Sequence, residues 1–95
     1  INRYPSSDLD LAFVMEDAIP ATTLQRVLRQ AAGKQLVSID LFDVYRGKGV
    51  VEGSRSLAFR LRVQGVEATL TELQLADLQK SCVAAANKAG ATLRA

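Results

Sequence analysis

The sequence has no histidine and no tryptophan, one cysteine, one methionine and two prolines, and only 5% of its 95 residues are aromatic. Lack of histidine removes the commonest general base and the commonest metal ligand, which argues against an independent hydrolase or metalloenzyme. With Cys82 alone, neither an intramolecular disulfide nor a cysteine-cluster metal site can form. Leu78, Ala85 and Ala86 place Cys82 on an apolar helical stripe, so an inert buried thiol is expected rather than a nucleophile. No apolar run approaches the roughly 18 residues that cross a bilayer, and no signal peptide is visible. An initiator methionine is missing too: the chain opens on Ile1, Asn2 and Arg3, so it reads as a fragment of a longer protein. Residues 1–95 are expected to form one domain around a single modest core, with residues 1–7 and Ala95 loosely held.

What is present is a folded-domain composition, 48% hydrophobic and 23% charged, with a formal net charge of +2. The distribution of that charge is more informative than its sum. Arg46, Lys48, Arg55, Arg60 and Arg62 fall in one segment, interrupted only by Glu52. Within it Leu57, Phe59, Leu61 and Val63 alternate with Ser56, Ala58, Arg60 and Arg62. Strand side chains alternate between faces, so one face is apolar and the other small and cationic. Small residues let a flat group approach the backbone while arginines wait beside it, an arrangement suited to an RNA base and its phosphates. A merely solvated hairpin is the plainer alternative.

The rest of the chain supplies the frame. Leu9 to Met15 reads as a first strand, with Leu9, Leu11, Phe13 and Met15 inward and Asp10, Ala12 and Val14 outward. Glu16 and Asp17 end it, and Pro20 begins a helix. That helix carries Leu24, Val27, Leu28 and Ala31 on one stripe, with Gly33 as its stop. A second strand runs over residues 37–45. Phe42 and Val44 are expected in the core and Asp43 and Tyr45 outward, but Ile39 and Leu41 share the outward parity, so a bulge near Leu41 is needed. Gly47, Gly49 and Gly53 punctuate the connection to the third strand. Thr71 opens a second helix with Gln74 as capping-box partner; Leu75, Leu78, Cys82, Ala85 and Ala89 form its stripe, Gly90 ends it, and residues 91–94 make a short last strand. This order predicts an α+β, ferredoxin-like βαββαβ sandwich: a four-stranded antiparallel sheet with two helices on one face and the other face open.

No catalytic constellation stands out. Asp8 with Asp10, and Asp40 with Asp43, suit outward strand or turn positions better than acid–base pairs. Gly47-Lys48-Gly49 has neither the spacing nor the following helix of a phosphate-binding loop. An acylphosphatase-like enzyme would need a phosphate cradle after the first strand, where this chain has acidic Glu16 and Asp17. Tyr45 is the one outward aromatic expected to offer a ring for base stacking, with Asp43 beside it as an acceptor. Packing of Tyr45 on a neighbouring domain is the alternative. The RNA-binding module with paired ribonucleoprotein motifs does not fit, because Phe59 falls on the buried parity.

Leu41-Phe42-Asp43-Val44-Tyr45-Arg46-Gly47, the strand Ser56-Leu57-Ala58-Phe59-Arg60-Leu61, Thr69-Leu70-Thr71 and the ending Leu93-Arg94 occur in one order and spacing. With them the sequence resembles the ferredoxin-fold anticodon-binding domain at the C-terminus of bacterial phenylalanyl-tRNA synthetase β subunits, from Tyr4-Pro5 onward. The resemblance implies that the open face receives the anticodon of phenylalanine tRNA and reads its first base, a guanine. By motif position Tyr45 would stack on that base, Asp43 and Ser56 would hydrogen-bond near it, and Ala12 would form part of the floor. Arg46, Arg55, Arg60 and Arg62 are candidates for phosphate contacts on charge and facing alone. The family usually has arginines where this chain has Leu9 and Ala68, which shifts the expected electrostatic attraction toward the hairpin between the second and third strands.

The resemblance also implies a cytoplasmic, non-catalytic module with no membrane contact and no cofactor or metal of its own. ATP and magnesium would be used elsewhere in the parent ligase, and the partners would be the remainder of the β subunit and the α subunit. A regulatory or docking ferredoxin-like domain, binding a small ligand or another chain, is the competing reading.

Overall fold

A computed structural model describes residues 4–94 of the chain. Residues 1–3 and 95, part of the loosely held ends expected above, lie outside the described residues, while Ser6 and Ser7 already belong to a strand. The elements are β1 (Ser6–Glu16), α1 (Ala21–Ala32), β2 (Leu36–Tyr45), β3 (Ser54–Gln64), α2 (Glu72–Lys88) and β4 (Thr92–Leu93), with one 3₁₀ turn over Gly33–Gln35. The sheet order is β2-β3-β1-β4, and every pairing is antiparallel. This is the ferredoxin-like α+β arrangement.

Alternation builds the central strands. Leu11, Phe13 and Met15 of β1 face Phe59, Leu57 and Arg55 of β3, and the apolar members of these pairs are buried. They join Leu24, Leu28 and Ala32 of α1 and Leu78, Cys82 and Ala86 of α2 in one core. Period-two burial on the strands and helical-period burial on α1 and α2 thus converge on one side of the sheet. Burial also pushes the Cys82 thiol up, as an inert thiol requires.

Both helix ends have local causes. In α2 the Thr71 hydroxyl accepts from the Gln74 amide at 3.1 Å, and the Gln74 side chain accepts from the Thr71 amide at 2.9 Å, the reciprocal box expected from their spacing. Gly33 closes α1 with φ +67, where a Cβ would be strained. The turn after β3 depends on close approach: a Cβ on Gly65 would lie 1.6 Å from the Ala68 carbonyl oxygen.

The second strand needs a correction. The pairing slips between Leu41, which faces Phe59, and Asp43, which faces Ala58, so Phe42 is the extra, unpaired residue. A bulge sits where parity demanded one, and it reverses the expected facing of Phe42. Phe42 is not core: it is 51% exposed and lies beside Arg60 on the open face. Val44 does face the helix side, opposite Leu57, yet it is half exposed at the outer edge of the sheet. A second slip between Leu36 and Ser38 further irregularises this edge, which discourages pairing with another chain.

Candidate nucleic-acid interface

Two adjacent rungs bring the expected base-contact residues together. In one, Asp43, Ala58 and Ala12 lie side by side across β2, β3 and β1; in the next, Tyr45, Ser56 and Val14 do. Alternation within each strand puts all six on the open face. The alanines leave a shallow floor, Asp43 is exposed, and Ser56 is buried. The Tyr45 hydroxyl donates to the Lys48 carbonyl oxygen at 3.0 Å. Gly47, at φ +143, passes so close that a Cβ there would sit 3.1 Å from that hydroxyl. The ring is therefore held by the first turn of the loop that follows it.

Arg94 completes this site. Its amide donates to the Ala12 carbonyl oxygen at 2.7 Å, which fixes its backbone beside β1. Its guanidinium carbon lies 4.7 Å from the Tyr45 ring centroid, so the Arg94 side chain and the Tyr45 ring reach toward each other over the two central strands, β1 and β3. The contact covers one Tyr45 face with a cation. Nothing in the alternation of any strand pointed to Arg94, because the contact spans the width of the sheet.

The four arginines expected on phosphates are placed differently. Arg55 is buried, not displayed: its Nη1 donates to the Glu16 carbonyl at 2.7 Å and its Nη2 to that of Ile19 at 2.8 Å. Its parity with Leu57 and Phe59 was the signal that it faces the helix side. Arg46 is exposed but bound through Nη1 to both Asp17 oxygens at 2.7 Å. Together with the Asp17 amide donating to the Gly53 carbonyl, these contacts clasp the β2–β3 loop to the turn before α1. They orient the hairpin that carries Tyr45 rather than leaving cations for a ligand.

Arg60 and Arg62 do lie on the open face, each engaged by a carboxylate of β1. Arg60 binds Asp10 through Nε at 2.9 Å and Nη2 at 3.1 Å; Arg62 binds Asp8 through Nε at 3.0 Å and Nη2 at 3.5 Å. The hydrogen bond from Arg60 holds the Asp10 carboxyl below the usual carboxylate range, and the Asp10 and Asp8 partners push Arg60 and Arg62 up. This half of the open face is a ladder of alternating sign and not the cationic strip read from β3 alone. The Arg60 guanidinium carbon also lies 4.8 Å from the Phe42 ring centroid. Among the described residues no cluster of three or more acidic or thiol side chains is arranged to hold a metal ion, and no helix is long and apolar enough to cross a membrane.

The whole chain is similar to known proteins. The family model of the ferredoxin-fold anticodon-binding domain matches residues 2–94. The chain belongs to that family. It is 43% identical over 96 residues to a phenylalanine–tRNA ligase β subunit of Thiobacillus denitrificans, covering 100% of this chain and 12% of that protein. The β subunit of Thermobifida fusca is 41% identical over 95 residues, 99% of this chain and 11% of that protein. That of Dickeya dadantii is 42% identical over 85 residues, 90% of this chain and 11% of that protein. The chain thus spans about a tenth of the length of these curated relatives.

Proposed function

We propose that this anticodon-binding-family domain binds the anticodon loop of phenylalanine tRNA on its open sheet face, as the recognition part of a phenylalanyl-tRNA synthetase β subunit. The observation that carries the reading is the convergence of Ala12, Asp43, Tyr45 and Ser56 on two neighbouring rungs. In this reading a guanine stacks on Tyr45, its imino and amino groups donate to Asp43, and the Ser56 hydroxyl bonds its edge over the alanine floor. Arg94 must first swing off the ring. An exposed cation–π contact contributes about 0.5–1 kcal/mol, whereas stacking of one base on an aromatic side chain contributes about 1–3 kcal/mol. The base therefore displaces the cation, and the freed Arg94 is left beside the adjoining phosphate, near Lys48. The domain itself performs no chemistry in this reading. Ligation, with ATP and magnesium, belongs to the remainder of the synthetase, and the rest of the β subunit and the α subunit are its partners.

The test is an amide NMR titration at low salt with a stem-loop bearing the phenylalanine anticodon, against a scrambled-anticodon loop. The expected result is shifts concentrated at Ala12, Asp43, Tyr45, Ser56 and Arg94, weaker for the scrambled loop, with affinity lowered by about 5-fold or more in Tyr45→Ala. Shifts confined to other surfaces, or none, would sink the reading and favour a docking domain.

A further inference from the structure

We propose that the open face carries a second base-stacking position, made by the Arg60 guanidinium lying on the Phe42 ring and held by Asp10, for the nucleotide next to the one Tyr45 stacks. The proposal rests on the anticodon-loop reading above and goes beyond it in adding a recognition element outside the Tyr45 site.

Three observations converge. First, the β2 bulge turns Phe42, which regular alternation from Ile39 and Leu41 would already place outward, into an unpaired residue directly followed by outward Asp43. The ring and the carboxylate therefore share one face, and the ring is left half exposed among polar neighbours. Bulges recur beside functional sites, where they re-aim a side chain; here the bulge brings Asp43 onto the face that Phe42 already occupies, and an exposed aromatic on an open sheet is the usual base platform. Second, Arg60 is fixed at two sides: a two-pronged bond to Asp10 at 2.9 and 3.1 Å, and the Phe42 ring 4.8 Å from its guanidinium carbon. Its side chain is still 47% exposed, so a plane of the guanidinium is presented outward. Bases stack on such planes as they do on rings. Third, the surroundings disfavour phosphate here. Asp10 neutralises Arg60, Asp8 holds Arg62, and Asp40 faces Arg60 across the β2–β3 pair. A flat surface with no net positive charge selects a base over its backbone.

Position fits as well. Tyr45 pairs with Ser56, Asp43 with Ala58 and Asp40 with Arg60, so the two platforms lie along one direction of the hairpin with the Asp43–Ala58 rung between them. Splayed bases of a bound single strand can occupy both.

The experiment measures the affinity of the 95-residue chain for the anticodon stem-loop by fluorescence anisotropy, with Phe42→Leu, Arg60→Lys and Tyr45→Ala beside the unaltered chain. Each protein is also tested on RNAs made abasic on one or the other side of the Tyr45-stacked nucleotide. Phe42→Leu keeps an apolar residue and Arg60→Lys keeps the charge, so folding is retained and is checked by the amide spectrum. The expected loss is about 5- to 20-fold for both on intact RNA, vanishing on one of the two abasic RNAs. Because no phosphate is involved, the dependence of affinity on salt should be unchanged. Equal losses on all three RNAs would mark a structural effect and overturn the proposal. So would unaltered binding by Phe42→Leu and Arg60→Lys while Tyr45→Ala weakens, which leaves the Tyr45 reading standing. Absence of any binding, or indifference to Tyr45→Ala, overturns both.

Discussion

Arg55 and Arg60 are five residues apart in β3 and do unrelated work, because strand parity sends them to opposite faces. Arg55 is inside, and its two carbonyl bonds hold the β1–α1 turn against the end of β3. Hydrogen bonds from a charged donor contribute about 1.5–3 kcal/mol each, and breaking them leaves acceptors without partners. Arg55→Met should therefore cost about 3 kcal/mol of stability or more, roughly 12 °C or more in Tm for a domain of this size, measured by thermal unfolding. At temperatures where the variant remains folded, its RNA affinity should stay close to that of the unaltered chain; a large loss of affinity without loss of stability would return Arg55 to the interface. The parity of Arg55 was legible in the sequence. What hid its role was its membership in a run of cations, which invited one reading for all of them. Asp8 and Asp10 were legible as outward residues too, but only the register of β1 on β3 shows that they answer Arg62 and Arg60 one for one.

Among the elements, β1, β3 and both helices follow from local pattern, since each has one unbroken period and a marked end. The α2 capping box is the clearest case: Thr71 and Gln74 stand three apart before an apolar stripe, and both of its bonds form. Thr71→Ala should lower stability by about 1 kcal/mol, a Tm drop of roughly 4–8 °C. Because α2 lies on the side away from the open face, RNA binding at low temperature should be unaffected. An unchanged Tm would mean that the helix start is held by packing alone. The second strand was less legible for a physical reason. Its apolar residues violate strict alternation, and a bulge can be placed so that either Phe42 or Asp43 is the extra residue. The choice is made by β3: Leu41 pairs with Phe59 and Asp43 with Ala58, which leaves Phe42 unpaired and sets it against Arg60. A single strand read alone does not contain that information.

At the scale of the whole molecule, the +2 net charge conceals how few cations remain available to a polyanion on the open face. Arg46, Arg60 and Arg62 are paired and Arg55 is buried, so Lys48 and Arg94 are the cations nearest the Tyr45 site without an ion-pair partner among the described residues. Each phosphate neutralised on a single strand contributes about −0.7 to the slope of log affinity against log salt. Two contacts therefore predict a slope near −1.4, whereas phosphate contacts by all four arginines would give about −2.8. A titration of the anticodon stem-loop from low to physiological salt separates the two. A shallow slope means that most of the recognition is carried by stacking and hydrogen bonds on the two rungs, which salt hardly screens. On the proposed function, Leu9 and Ala68, standing where the resemblance leads one to expect arginine, then have a simple consequence: the domain would read bases with little electrostatic pull. In that reading it would depend on the remainder of a β subunit to bring the loop within reach. A slope near −2.8, four contacts, would instead require two of the pairs made by Asp8, Asp10 and Asp17 to open on binding and add their arginines to Lys48 and Arg94.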